Sequence, residues 1–190
     1  MSSKSRLNHS LFFPLRFVVL LWLVYILELL LHMDLGLIFG IYPRQAFGII
    51  GIFTSPLIHG NLMHLFSNSV PLLVLGSLLY FFYDRIAAVV FFNCYFLTGA
   101  LVWIFARPFI HIGASGVIYG IAFFLLFIGI FRKDFLSVLI SLGVAFFYGG
   151  MIWGVLPGIP GISWESHLIG AIVGVFTAFK YGNSNKISRY

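Results

Sequence analysis

The chain has 190 residues, of which 61% are hydrophobic and 8% charged, and its mean hydropathy is +1.07. A soluble globular domain carries about 25% charged residues, so these proportions exclude one and leave an integral membrane protein with small water-exposed parts. The basic residues behind the net charge of +6 sit mostly in connections and at the ends, as membrane topology distributes them, and do not mark a nucleic-acid binder.

The first apolar run, from about Leu11 to Leu31, is longer than a signal-peptide core and no small-residue cleavage motif follows it. It predicts a membrane span over 13–32. Residues 33–60 form a long connection. Its middle, IFGIYPRQAFGIIGIF, is apolar but broken by Gly40, Pro43, Gly48 and Gly51. That is too interrupted to span, and it is expected to lie in the membrane interface against the bundle. Further spans are predicted at 61–82, at 86–106 (ended by Arg107-Pro108), at 115–131, at 135–153 and at 164–181. So many apolar runs with so little polar chain between them predict an all-α, polytopic bundle of six transmembrane helices. The domain covers 13–181, between short tails at 1–12 and 182–190. The single cysteine, Cys94, lies inside the third span and reads as core packing. No metal or cofactor is called for.

Lys4, Arg6, Arg16, Arg85, Arg132, Lys133, Lys180, Lys186 and Arg189 fall on one side of this layout, and only Arg44 and Arg107 on the other. The positive-inside rule then puts both termini in the cytoplasm and the first, third and fifth loops outside.

The polar side chains inside the spans are mostly few and weak, and the exceptions cluster. Span two carries His64 and Asn68, four residues apart and so on one helical face. Span four begins at Ser115, and span six carries His167 near its start. At about 1.5 Å of rise per residue from the cytoplasmic ends, Ser115 lies about 24 Å up, His167 about 20 Å, Asn68 about 21 Å and His64 about 27 Å, within a hydrocarbon core of about 30 Å. A lone histidine or serine in a span is ordinarily structural. Four polar groups from three helices at one depth point instead to an internal cavity open to the outer side.

That set has a chemistry. A serine hydroxyl needs a base to take its proton as it attacks a carbonyl, and His167 can do this and later protonate the leaving amine. The carbonyl oxygen, turned negative, needs donors. Asn68, His64 and the Ser115 N–H can supply them, helped by the start of a helix. Glu165 lies at the outer edge on another face of its helix, so the reading is a Ser115–His167 dyad with the imidazole oriented by packing. Tyr119, one turn after Ser115, is placed to stack on His167 or to be an ordinary core tyrosine. Gly116 with Gly120, and Gly170 with Gly174, form two G-x-x-x-G faces that would let spans four and six approach closely. Gly113 and Ala114 would let the chain bend tightly before the serine.

These residues resemble the rhomboid family of intramembrane serine proteases. GASGVIYG resembles the family's nucleophile motif, HGNLMHLFSN its second-span pattern of His59, His64 and Asn68, and SHLIGAIVG its sixth-span histidine motif. The six-helix layout resembles the minimal bacterial form. The first loop departs from it, with Pro43-Arg44 where many members carry a tryptophan–arginine pair. The resemblance implies hydrolysis of a peptide bond in or near a substrate's transmembrane segment, in a bacterial inner membrane. Substrates, themselves membrane-protein helices, would enter laterally from the lipid bilayer between spans two and five. Phe146, Phe147, Tyr148 and Trp153 would form a gate there or simply face lipid, and the GVLPGIPGISWE loop would cap the site. Two alternatives stay open: a non-catalytic, rhomboid-like protein that binds membrane clients, and a small transporter, against which no inverted repeat is evident.

Overall fold

The computed structural model describes residues 3–158 and 161–182. Lys186, Arg189 and the rest of the predicted C-terminal tail beyond residue 182 lie outside the described residues, as do positions 159 and 160 of the Pro- and Gly-rich loop. Among the described residues the architecture is all-helical. The only strand-like feature is one antiparallel bridge, Ile41 to His111. Seven α-helices follow in order: α1 (Ser3–Leu31), α2 (Leu35–Phe39), α3 (Gly51–Thr54), α4 (Leu62–Phe105), α5 (Ser115–Arg132), α6 (Phe135–Tyr148) and α7 (Trp164–Gly182). Four helical stretches are long and apolar enough to cross a membrane: Lys4–Leu31, Leu62–Phe105, Ser115–Arg132 and Phe135–Val155.

The helix α1 begins earlier than its apolar run, because the polar residues of its first turns find partners. The Arg6 guanidinium donates to the Phe81 carbonyl at 2.7 Å, and His9 meets Asp84 at 3.0 Å. Farther along, buried Pro14 fits against Gly76, where a Cβ would lie 3.1 Å from the proline ring.

Although its helical hydrogen bonding continues from Leu62 to Phe105, α4 is not straight. Tyr83 leaves the helical region, with φ −132° and ψ 34°. The Phe13 ring lies 5.2 Å from the Tyr80 ring and 4.8 Å from the Phe91 ring. In a straight helix those two residues would be about 16 Å apart. Farther from the break, Trp22 donates to Ser69 while the Phe17 ring meets Tyr95. Both arms therefore run alongside α1, and the chain reverses at Tyr83. The tyrosine is buried there, and its hydroxyl reaches Ser137 at 3.1 Å.

The centre of the bundle is α5. About two thirds of it lies inside the protein, against about a fifth of α1. It packs most closely on α7. A Cβ at Gly170 would collide with the Gly116 carbonyl, and one at Gly174 with the Gly120 carbonyl and with Phe124 N at 2.9 Å. The two glycine faces thus meet backbone to backbone. Gly120 also rests against Cys94, whose Sγ would be 2.6 Å from an added Cβ; the thiol is buried and unpaired with any other cysteine.

The connection from residue 33 to 60 is held down at several points. Asp34 caps α2 by accepting from Gly36 N at 2.9 Å and Leu37 N at 3.3 Å. Arg44, in the left-handed region at φ +60°, donates to the carbonyls of Ile104 and Ala106 at 3.0 and 2.8 Å. A cation on the last carbonyls of a helix is favoured by both hydrogen bonding and the helix dipole. Trp103 Nε1 donates back to the Gln45 carbonyl at 3.0 Å. Leu37, Phe47 and Phe53 remain exposed on the outside of this segment.

Candidate active site

Ser115 is the first residue of α5. Ala114 at the N-cap offers no side-chain cap, so the first-turn N–H groups keep the hydrogen-bonding capacity and positive end of the helix dipole. The turn into the helix needs glycine at 113. Its φ is +100°, and a Cβ there would lie 2.6 Å from the His64 ring. The Gly113 N–H is taken by the Ser55 carbonyl at 2.9 Å, so Gly113 makes room for His64 and is no donor to the cavity. The next amide, Ala114 N–H, points at buried His59 Nε2 at 3.5 Å, while His59 Nδ1 faces the Leu57 carbonyl at 3.4 Å. Burial first, then the neighbouring His64 ring, pushes the His59 pKa down to about 4.

His167 lies in the first turns of α7, and the glycine contact brings it to the serine. Its Nε2 is 2.8 Å from Ser115 Oγ. Tyr119 stacks on its ring, with centroids 4.1 Å apart and planes 6° from parallel. The other ring nitrogen, Nδ1, is 2.9 Å from the Gly154 carbonyl. A carbonyl can only accept, so Nδ1 carries the proton and Nε2 turns its lone pair to the serine hydroxyl. Sequence reasoning left the imidazole oriented by packing alone. The missing partner is a main-chain group, for which no side-chain signal exists.

Glu165 is committed elsewhere. It is buried and pairs with Arg107 through both carboxylate oxygens, one contact at 3.2 Å. Beside that pair His111, also buried, bonds Ser163 Oγ at 2.6 Å and the Arg107 carbonyl at 3.1 Å. These contacts tie the connection before α5 to the start of α7. They were invisible in sequence because His111 lies outside any helical pattern.

Asn68 is buried, and its amide donates to the His64 carbonyl at 2.7 Å. The second amide hydrogen is uncommitted, and Oδ1 has no protein partner. A cavity of about 800 Å³ collects Ser115, His167, Tyr119, His64 and Asn68 on its walls. Its sides include Ser67 and Pro71 from the first arm of α4, and Tyr148 and Met151 from the end of α6 and the 3-10 turn after it. Of the aromatics nominated for a gate, Tyr148 lines this cavity. Phe146, Phe147 and Trp153 are 83%, 78% and 73% exposed and are not among its walls.

A half-buried serine in contact with a buried imidazole sits at one end of an apolar helical bundle. The Rhomboid domain family model matches residues 46–184, and the chain belongs to the rhomboid family. That family consists generally of intramembrane serine proteases and includes inactive members. The chain is 36% identical over 182 residues to the uncharacterized protein Rv1337 of Mycobacterium tuberculosis, an alignment covering 87% of this chain and 72% of the relative. It is 35% identical to the uncharacterized protein ML1171 of Mycobacterium leprae, covering 87% and 68%.

Proposed function

We propose that this protein is an intramembrane serine endopeptidase that cleaves within or near the transmembrane segments of other membrane proteins. The observation that carries the reading is the 2.8 Å contact between Ser115 Oγ and a His167 whose other nitrogen is held by a carbonyl. As Oγ attacks the scissile carbonyl carbon, His167 Nε2 takes the serine proton. The carbonyl oxygen becomes an oxyanion, for which the free hydrogen of Asn68, the His64 ring and the Ser115 N–H are the donors within the cavity. Collapse of the tetrahedral intermediate breaks the C–N bond, and His167 returns its proton to the leaving amine. Water then attacks the acyl-enzyme by the same route and releases the carboxyl product.

The chain reversal at Tyr83 supports counting six membrane crossings. The nine-to-two distribution of basic residues supports cytoplasmic termini in a bacterial inner membrane and a site that opens outward. Tyr148 and Met151, which line the same cavity as Ser67 and Pro71, support lateral substrate access between the first arm of α4 and α6. No cofactor is needed by this chemistry. A fluorophosphonate probe on detergent-purified protein tests the reading. Labelling of the wild type but not of Ser115→Ala is expected; a folded wild type that does not label contradicts it and favours a non-catalytic client-binding protein.

A further inference from the structure

The imidazole of a serine hydrolase has to present an unprotonated nitrogen to the hydroxyl. An imidazole with no fixed partner exchanges its proton between both nitrogens, and the Nε2–H form cannot take a proton from serine. Glu165 is bound to Arg107, and Tyr119 touches the ring only by its face. Among the described residues the group bonded to Nδ1 is the Gly154 carbonyl.

Gly154 belongs to the 3-10 turn Gly149–Val155 that continues from α6. It comes so close because it lacks a side chain. A Cβ there would collide with the Tyr119 hydroxyl oxygen, and would lie 3.0 Å from Tyr119 Cζ and 3.3 Å from His167 Nδ1. Carbonyl, phenol and imidazole are packed as one unit. The same turn carries Met151 into the wall of the cavity.

Resting on the protease reading above, we propose that Gly154 is a positioning residue for the reaction. Its main-chain carbonyl fixes the His167 tautomer, and the base is armed only while the turn after α6 lies against Tyr119. The turn is therefore part of the catalytic apparatus as well as part of the wall. A substrate that displaces it on the way in withdraws the carbonyl, and cleavage waits until the turn has docked again.

The test uses the full chain in detergent, with histidine labelled by 15N and His167 assigned by difference from His167→Ala. Ring nitrogen shifts report the tautomer, the fluorophosphonate labelling rate of Ser115 reports nucleophilicity, and a thermal melt checks folding. The wild type should show Nδ1–H. Gly154→Ala should mix the tautomers and slow labelling by about 10-fold or more, part of the ~10²–10⁴ that a positioned base contributes. In the Tyr119→Phe background the oxygen that the methyl meets is gone. There Gly154→Ala should cost less than about 3-fold and keep Nδ1–H, and it is the tautomer, not the rate alone, that a merely structural loss would not move. An unchanged tautomer and labelling rate in Gly154→Ala, or the same penalty in both backgrounds, overturns the proposal. If Ser115 does not label in the wild type while the tautomer still answers to Gly154→Ala, the positioning role holds and the protease reading falls.

Discussion

Ser115 is partly open to the cavity, whereas His167 behind it is buried. This division suits a nucleophile that must meet substrate and a base that must be shielded from bulk water. Ser115→Ala and His167→Ala are each expected to abolish cleavage of a single-span test substrate while leaving the thermal melt in place. Full cleavage by the His167 variant would remove the dyad from the account. Asn68→Ala should weaken cleavage by about 10²-fold, the low end for loss of one oxyanion donor; kcat should carry the loss, measured under substrate saturation. His59 makes a separate prediction. Its pKa is lowered from 6.5 to about 4, so the unfolded chain binds more protons than the folded one between these values. Its stabilising contribution is complete above pH 6.5 and is lost as pH falls toward 4, on the order of 3 kcal/mol. Buried His111, also held below its usual range chiefly by burial, acts with the same sign. The melting temperature in detergent should drop over this window, and His59→Gln should make the drop shallower. At this scale the sequence revealed residues whose side chains are out of place in lipid, Ser115, His64, Asn68 and His167, because depth alone exposes them. Gly154 was hidden because its contribution is a carbonyl that every residue has.

Between elements, the decisive contact is α5 against α7. Adding atoms at Gly170 or Gly174 would push the two backbones apart, since the nearest neighbours are Gly116 and Gly120 main-chain atoms that cannot rotate away. Gly170→Val should cost at least about 1–3 kcal/mol by overpacking and should slow Ser115 labelling together with the loss of stability. A thermal melt and a probe titration on the same sample check both. The first connection offers a milder case. Arg44→Ala removes two charge-assisted hydrogen bonds to the end of α4; hydrogen exchange over residues 41–50 should speed up with little change elsewhere. The G-x-x-x-G faces were legible because their spacing is itself the packing rule. The reversal at Tyr83 was legible only as a short polar break, Asp84-Arg85, between two apolar runs. The helical start of α1 was not legible, because its polar residues are stabilised by the Phe81 carbonyl and Asp84, partners more than seventy positions away in sequence.

For the whole molecule, hydropathy and charge alone point to a membrane bundle. The proposed orientation rests on where the basic residues fall along the sequence, a rule about insertion into membranes that no contact within the protein encodes. The central claim is that this bundle brings a peptide bond from the membrane to Ser115. The most direct measurement is proteolysis in liposomes. The purified chain is reconstituted with a single-span substrate bearing small, helix-weakening residues near its outer end, and the products are identified by mass spectrometry. The account predicts cleavage at one or a few bonds on the outer half of the span by the wild type, and none by Ser115→Ala. Intact substrate with a folded wild type, or equal cleavage by both proteins, would contradict it.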